Sequence, residues 1–95
     1  MRSNNIKSPD YVGKQVTIRG WVHRLRKQKD NTFILIRDDR GGIIQIVIPT
    51  EKAVDLTIES SIEVMGTLRQ DSRAPEGGYE IKANELKIFG LAQVD

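Results

Sequence analysis

The chain has 95 residues, enough for one compact domain with a single core and too few for a second domain of ordinary size. It contains no cysteine, which excludes a disulfide framework and a thiolate zinc site, so apolar packing has to hold the fold. Fifteen Lys and Arg against thirteen Asp and Glu leave a formal net charge of +2, too mild by itself to imply a polyanionic partner.

Residues 1–10 read as a loosely held N-terminal arm that stops at Pro9 and Asp10, and 11–92 as one domain. Met1 is followed by Arg2 and a polar stretch, not by a signal-peptide pattern, and no apolar run is long enough to span a membrane. The expectation is a soluble, cytoplasmic protein with no membrane partner. From Gln15 to Arg24 polar and apolar residues alternate: Val16, Ile18 and Val22 share one side, Thr17, Arg19 and Trp21 the other. That alternation predicts a first strand with Gly20 in its inward register, where a bulge or sharp bend suits a small closed barrel.

Lys27 to Asn31 is turn-like, Thr32 to Arg37 a second strand, and Ile43 to Ile48 a third, stopped by Pro49. Thr50 is placed to cap a short helix from Glu51 to about Leu56, with Glu51 at the positive end of its dipole. Ser61 to Gln70 reads as a fourth strand through Ile62, Val64, Gly66 and Leu68. Tyr79 to Phe89 reads as a fifth, with Ile81, Ala83, Leu86, Ile88 and Phe89 supplying apolar contacts and a bulge near Asn84-Glu85 where the period slips. Three strands, a short helix and two strands predict an all-β domain. The expected fold is a five-stranded Greek-key OB barrel with one short helix between strands 3 and 4; an SH3-like barrel is the alternative.

No constellation looks catalytic. His23 is the lone histidine, the paired groups of metal or nucleophile sites are missing, and Gly41-Gly42 and Gly77-Gly78 are turns without a phosphate-loop context. OB barrels bind single strands across strands 2 and 3, with aromatic platforms for bases and basic groups for phosphates. Phe33 and Gln45 lie on those strands, while Arg24, Arg26, Lys27 and Lys29 lie at the end of strand 1 and in its loop. If Ile34 and Ile36 face the core, Phe33, Leu35 and Arg37 face outward. Pattern alone leaves Phe33 between core and ligand face, Gln45 between solvent and ligand, and the basic run between a solvated face and a phosphate track.

Three blocks carry a family resemblance: Gly20-Trp21-Val22-His23-Arg24-Leu25-Arg26, Phe33-Ile34-Leu35-Ile36-Arg37-Asp38 and Gly42-Ile43-Ile44-Gln45. In order and spacing they resemble the N-terminal anticodon-binding OB domain of class IIb aminoacyl-tRNA synthetases, the aspartyl, asparaginyl and lysyl enzymes. Glu59 to Thr67 and Arg73 to Glu80 resemble the asparaginyl branch most, in its eukaryotic cytosolic form. Glu76 stands as an insertion in the family's Ala-Pro-Gly-Gly turn, and the turn after strand 2 is longer than usual.

The resemblance implies that the partner is the anticodon stem-loop of a tRNA. Phe33 would stack on a central uridine, Gln45 would hydrogen-bond its edge and Arg26 would contact the loop; Glu80 on strand 5 matches a further family position. It also implies that the chain is no enzyme alone. ATP and magnesium would belong to an absent catalytic domain, with no cofactor or metal here, and residues 93–95 would begin the linker to it. The parent enzyme would be a homodimer, and this domain alone a monomer. Asparagine and aspartate specificity stay open, as do a general single-strand binder and a protein-interaction module.

Overall fold

The computed structural model describes residues 7, 9–53, 56–71, 74 and 78–90, and within them five strands close into a barrel. These are β1 (Gln15–Lys27), β2 (Asn31–Arg37), β3 (Ile43–Pro49), β4 (Ser61–Gln70) and β5 (Tyr79–Gly90). The order around the barrel is β1-β2-β3-β5-β4, with β1 returning to β4. The β3–β5 pair is parallel and the others are antiparallel, the arrangement expected of an OB barrel.

Alternation builds the core. Val16, Ile18 and Val22 of β1, Ile34 and Ile36 of β2, and Ile44, Ile46 and Ile48 of β3 all point inward and are buried. Ile62, Val64 and Leu68 of β4 and Ile81 and Ala83 of β5 complete the same cluster. β-Branched residues dominate because they fit the pleated wall of a tightly coiled sheet. The two inward glycines mark where neighbouring backbone comes too close for a side chain. A Cβ on Gly20 would collide with the Arg37 carbonyl, and one on Gly66 with the Lys82 carbonyl and, at 2.6 Å, the Ala83 Cα.

Register breaks do the bending. Between β4 and β5, Met65 pairs with Glu85 and Gly66 with Ala83, so Asn84 is the extra residue of a bulge, at the expected site. Its carbonyl accepts a hydrogen bond from Lys52 Nζ at 2.8 Å. A second break, between β1 and β2, was not anticipated. Val22 pairs with Ile36 and Arg24 with Leu35, so His23 is extra there. After His23 the alternation changes phase: Leu25 turns inward against the core, while Arg24 and Arg26 turn outward. β1 consequently runs on to Lys27, three residues past its expected end at Arg24.

Two expectations are corrected. Between β3 and β4 the described chain makes only a single 3-10 turn, Thr50–Lys52, in place of a helix from Glu51 to Leu56; residues 54 and 55 lie outside the described set. Thr50 makes no capping bond. Its hydroxyl donates instead to the Gln28 carbonyl at 2.6 Å and lies 2.9 Å from the Thr32 hydroxyl, fastening the β1–β2 turn to the end of β3. Ala53 and Leu56 still close the barrel, each 1% exposed. The second correction concerns β5, whose Ile88 and Phe89 are 36% and 55% exposed and lie outside the core. A further break, at Ser61/Ile62, leaves Phe89 unpaired near the strand end, under the Arg19 guanidinium at 4.9 Å.

The arm expected over 1–10 is described only at Lys7 and from Pro9, where Pro9–Tyr11 forms a 3-10 turn. The Ala74–Gly78 loop is described only at its two ends, and 93–95 lie outside the described residues. Among the described residues no helix is long and apolar enough to cross a membrane, and no buried side-chain polar atom lacks a hydrogen-bond partner.

Candidate nucleic-acid interface

Where the inward residues of β2 and β3 are isoleucines, the alternate positions form an outer face. Phe33, Leu35, Gln45 and Val47 are all half-buried there, with Phe33 paired to Val47 and Leu35 to Gln45. This settles the position of the Phe33 ring: it stands on the outer face, beside a core that is filled without it.

The face continues across the whole barrel. Arg24 of β1 pairs with Leu35 of β2, Leu35 with Gln45 of β3, Gln45 with Glu80 of β5, and Glu80 with Arg69 of β4. One rung of residues from all five strands therefore lies side by side. On the next rung Arg26 pairs with Phe33, and its guanidinium sits 4.8 Å from the ring centroid. The His23 bulge is what brings both arginines to this face.

Two concavities flank the aromatic ring. One, of about 480 Å³, is bounded by Arg24, Leu35 and the ring; the other, of about 420 Å³, by Arg69, Val47 and the opposite side of the same row. Arg26, Phe33 and Gln45 line both. A planar ring between two open grooves, bordered by guanidinium groups, suits stacked aromatic heterocycles joined by an anionic backbone.

The polar centre is tied together. Glu80, 4% exposed, accepts from Gln45 Nε2 through Oε2 at 2.9 Å and from an Arg69 guanidinium nitrogen through Oε1 at 2.5 Å. Arg69 keeps 45% of its side chain exposed and supplies the charge that the buried carboxylate needs. A solvated strand residue, the ordinary fate of a strand glutamate, does not describe Glu80.

Lys27 and Lys29 are exposed at the end of β1 and in the β1–β2 turn, near the face but lining neither concavity. The Thr50–Gln28 bond and the Thr50 N–H donating to the Asp30 carbonyl at 3.0 Å hold that turn. Arg69 and Val47 were missed by sequence reasoning, while Leu35 stands on the outward side that the alternation gave it. The Arg69–Glu80 pairing depends on a β4–β5 register that two bulges displace, so its only prior signal was a basic residue near a strand end. Among the described residues no group of His, Cys, Asp or Glu is arranged to hold a metal.

Residues 16–89 match the pattern of a known domain family, tRNA_anti-codon, described as an OB-fold nucleic acid binding domain. The chain belongs to this family. Within it, the chain is 38% identical over 92 residues to an asparagine–tRNA ligase of Thermoplasma acidophilum, covering 88% of this chain and 21% of the ligase. It is 36% identical over 91 residues to an aspartate–tRNA(Asp/Asn) ligase of Saccharolobus solfataricus, covering 90% and 21%. The crystal structure of asparaginyl-tRNA synthetase from Pyrococcus horikoshii complexed with asparaginyl-adenylate superposes with a TM-score of 0.84 at 32% identity, over 97% of this chain and 22% of that one. The tRNA_anti-codon domain thus spans about a fifth of the length of the relatives it matches. Its outer β2–β3 face carries the aromatic and amide just described.

Proposed function

We propose that this chain is the anticodon-reading module of an asparaginyl- or aspartyl-type tRNA synthetase, and that it binds an anticodon loop with a central uridine. The observation that carries the reading is the placement of an outward Phe33 ring beside the Gln45 amide, between two grooves and under arginine. Phe33 stacks on the base and Gln45 pairs with its edge, offering an acceptor and a donor together. Arg24, Arg26, Lys27 and Lys29 follow the phosphates, a contribution that weakens with salt. Relatives of both specificities match, and both anticodons share the central uridine, so the reading holds for either amino acid. Charging, with its ATP and magnesium, falls to the four-fifths of those relatives that this chain does not span.

The test is a titration of the protein with two anticodon stem-loops that differ only in a central U or C. Leaving one partner of the amide unpaired in the C complex costs about 1–3 kcal/mol, so the U loop is expected to bind on the order of 10- to 100-fold more tightly. Superimposable isotherms for the two loops would overturn the reading.

A further inference from the structure

We infer that Glu80 and Arg69 act as an orientation lock on Gln45, and that this lock, rather than the glutamine itself, decides which pyrimidine edge the face accepts. The inference rests on the proposed reading of a base by Gln45. A glutamine side chain is ambidextrous: turned by half a rotation about its last bond, it exchanges its carbonyl for its amino group. One orientation matches uracil, which offers an N–H flanked by carbonyls. The reversed orientation matches cytosine, which offers a ring-nitrogen acceptor beside an amino group. An unrestrained glutamine would adapt to either.

Gln45 is restrained. Its Nε2 donates to Glu80 Oε2 at 2.9 Å, and an ionised carboxylate only accepts. Turning the amide would set Oε1 against a carboxylate oxygen inside a pocket where Glu80 is 4% exposed. With one Nε2 proton committed to Glu80, the remaining proton and Oε1 present a donor and an acceptor in a fixed sense toward the grooves that Gln45 lines. Arg69 completes the lock by holding Oε1 of Glu80 at 2.5 Å, which leaves the carboxylate little freedom to swing away. The three residues sit on one rung, from β3 to β5 to β4, so backbone pairing sets their spacing. Glu80 and Arg69 are positioning residues that act through Gln45.

Two measurements test the lock separately from the reading. In the free protein, NMR of the Gln45 side-chain amide is expected to show one Nε2 proton shifted to low field and slowed in exchange relative to its geminal partner. Equivalent behaviour of the two protons overturns the lock even if U is preferred. With the same U and C stem-loops, the near-isosteric E80Q variant is expected to bind the C loop at least about fivefold more tightly than the parent while the U affinity moves by less than about threefold. An amide at position 80 accepts from or donates to Gln45 equally well, so discrimination collapses by gain of the wrong ligand. An unchanged U/C ratio, or a parallel loss for both loops as a direct base contact by Glu80 would give, overturns the lock. R69M is expected to narrow the ratio and R69K to restore it in part; a ratio unchanged in R69M counts against the inference. A dispersed amide spectrum verifies that each variant is folded. If the parent protein itself shows no U preference, the reading fails while the NMR result still decides the lock.

Discussion

Replacing Phe33 with alanine separates the binding face from the core. The ring is half-buried on the outer surface, and the interior is filled by Ile34, Ile36 and their neighbours, so F33A is expected to keep most of the stability and the full β-sheet spectrum. Stacking a base on an aromatic contributes about 1–3 kcal/mol. In the free protein, however, the Arg26 guanidinium already covers the ring at 4.8 Å, an attraction of about 0.5–1 kcal/mol at an exposed site, and a base stacking on that side must displace it. The net loss in F33A is then about 0.5–2 kcal/mol, or about 2- to 30-fold in Kd. Fluorescence anisotropy with a labelled central-U stem-loop at fixed ionic strength reads this directly. The companion R26A variant uncovers the ring but removes one phosphate-compensating charge, so its salt slope is expected to fall by about 0.7, and its deficit at low salt shrinks as salt rises. An F33A Kd equal to that of the parent, or an R26A slope that does not move, would refute this account of the face.

Three other outcomes follow from the barrel. G66A forces a Cβ against the Lys82 carbonyl and the Ala83 backbone, which a central β4–β5 pairing cannot yield without breaking register; a loss of at least about 2 kcal/mol in urea unfolding is expected, and a loss under about 0.5 would contradict the packing. Glu59 holds φ 67°, a left-handed conformation that asparagine tolerates better, so E59N is expected to raise stability by about 0.5 kcal/mol despite loss of the exposed 3.6 Å pair with Arg37, and a lower melting temperature would argue against it. The Arg19 guanidinium, hydrogen-bonded at 2.6 Å, holds the Glu63 carboxyl below the ordinary glutamate range. With the folded value lowered, the pair's contribution is present above the unfolded glutamate value and is lost as pH falls through the lowered one. In an NMR pH titration R19A should return the Glu63 midpoint upward, and no displacement would break the assignment.

The five strands were legible because the period of two is written plainly in Val16-Ile18, Ile34-Ile36, Ile44-Ile46-Ile48 and Ile62-Val64. The Asn84 bulge was also visible, since apolar residues fall out of step around it. The His23 bulge was not, because a basic run from Arg24 to Lys29 carries almost no hydrophobic signal, and Leu25 alone does not announce a change of phase. The missing helix has a similar origin: Thr50, read as a cap, is committed to Gln28 and Thr32, contacts remote in sequence. Phe33 and Gln45 were identifiable as candidates by strand position and resemblance. The Glu80–Arg69 connection required the register of three strands at once.

The extra residue at His23 makes β1 two strands in one, written in different reading frames. Up to Val22 even-numbered positions belong to the interior; past the bulge the residue that packs inward is the odd-numbered Leu25. Substitutions at Arg24 and Arg26 can therefore retune the charge of the outer face without touching a core position. Were His23 paired into the ladder and not bulged out, Arg24 would stand opposite Ile34, and one frame would run throughout, sending both guanidinium groups toward the isoleucines and Leu25 toward solvent. The side on which the basic end of β1 presents its charge is thus set by one unpaired residue and not by the composition of the stretch itself.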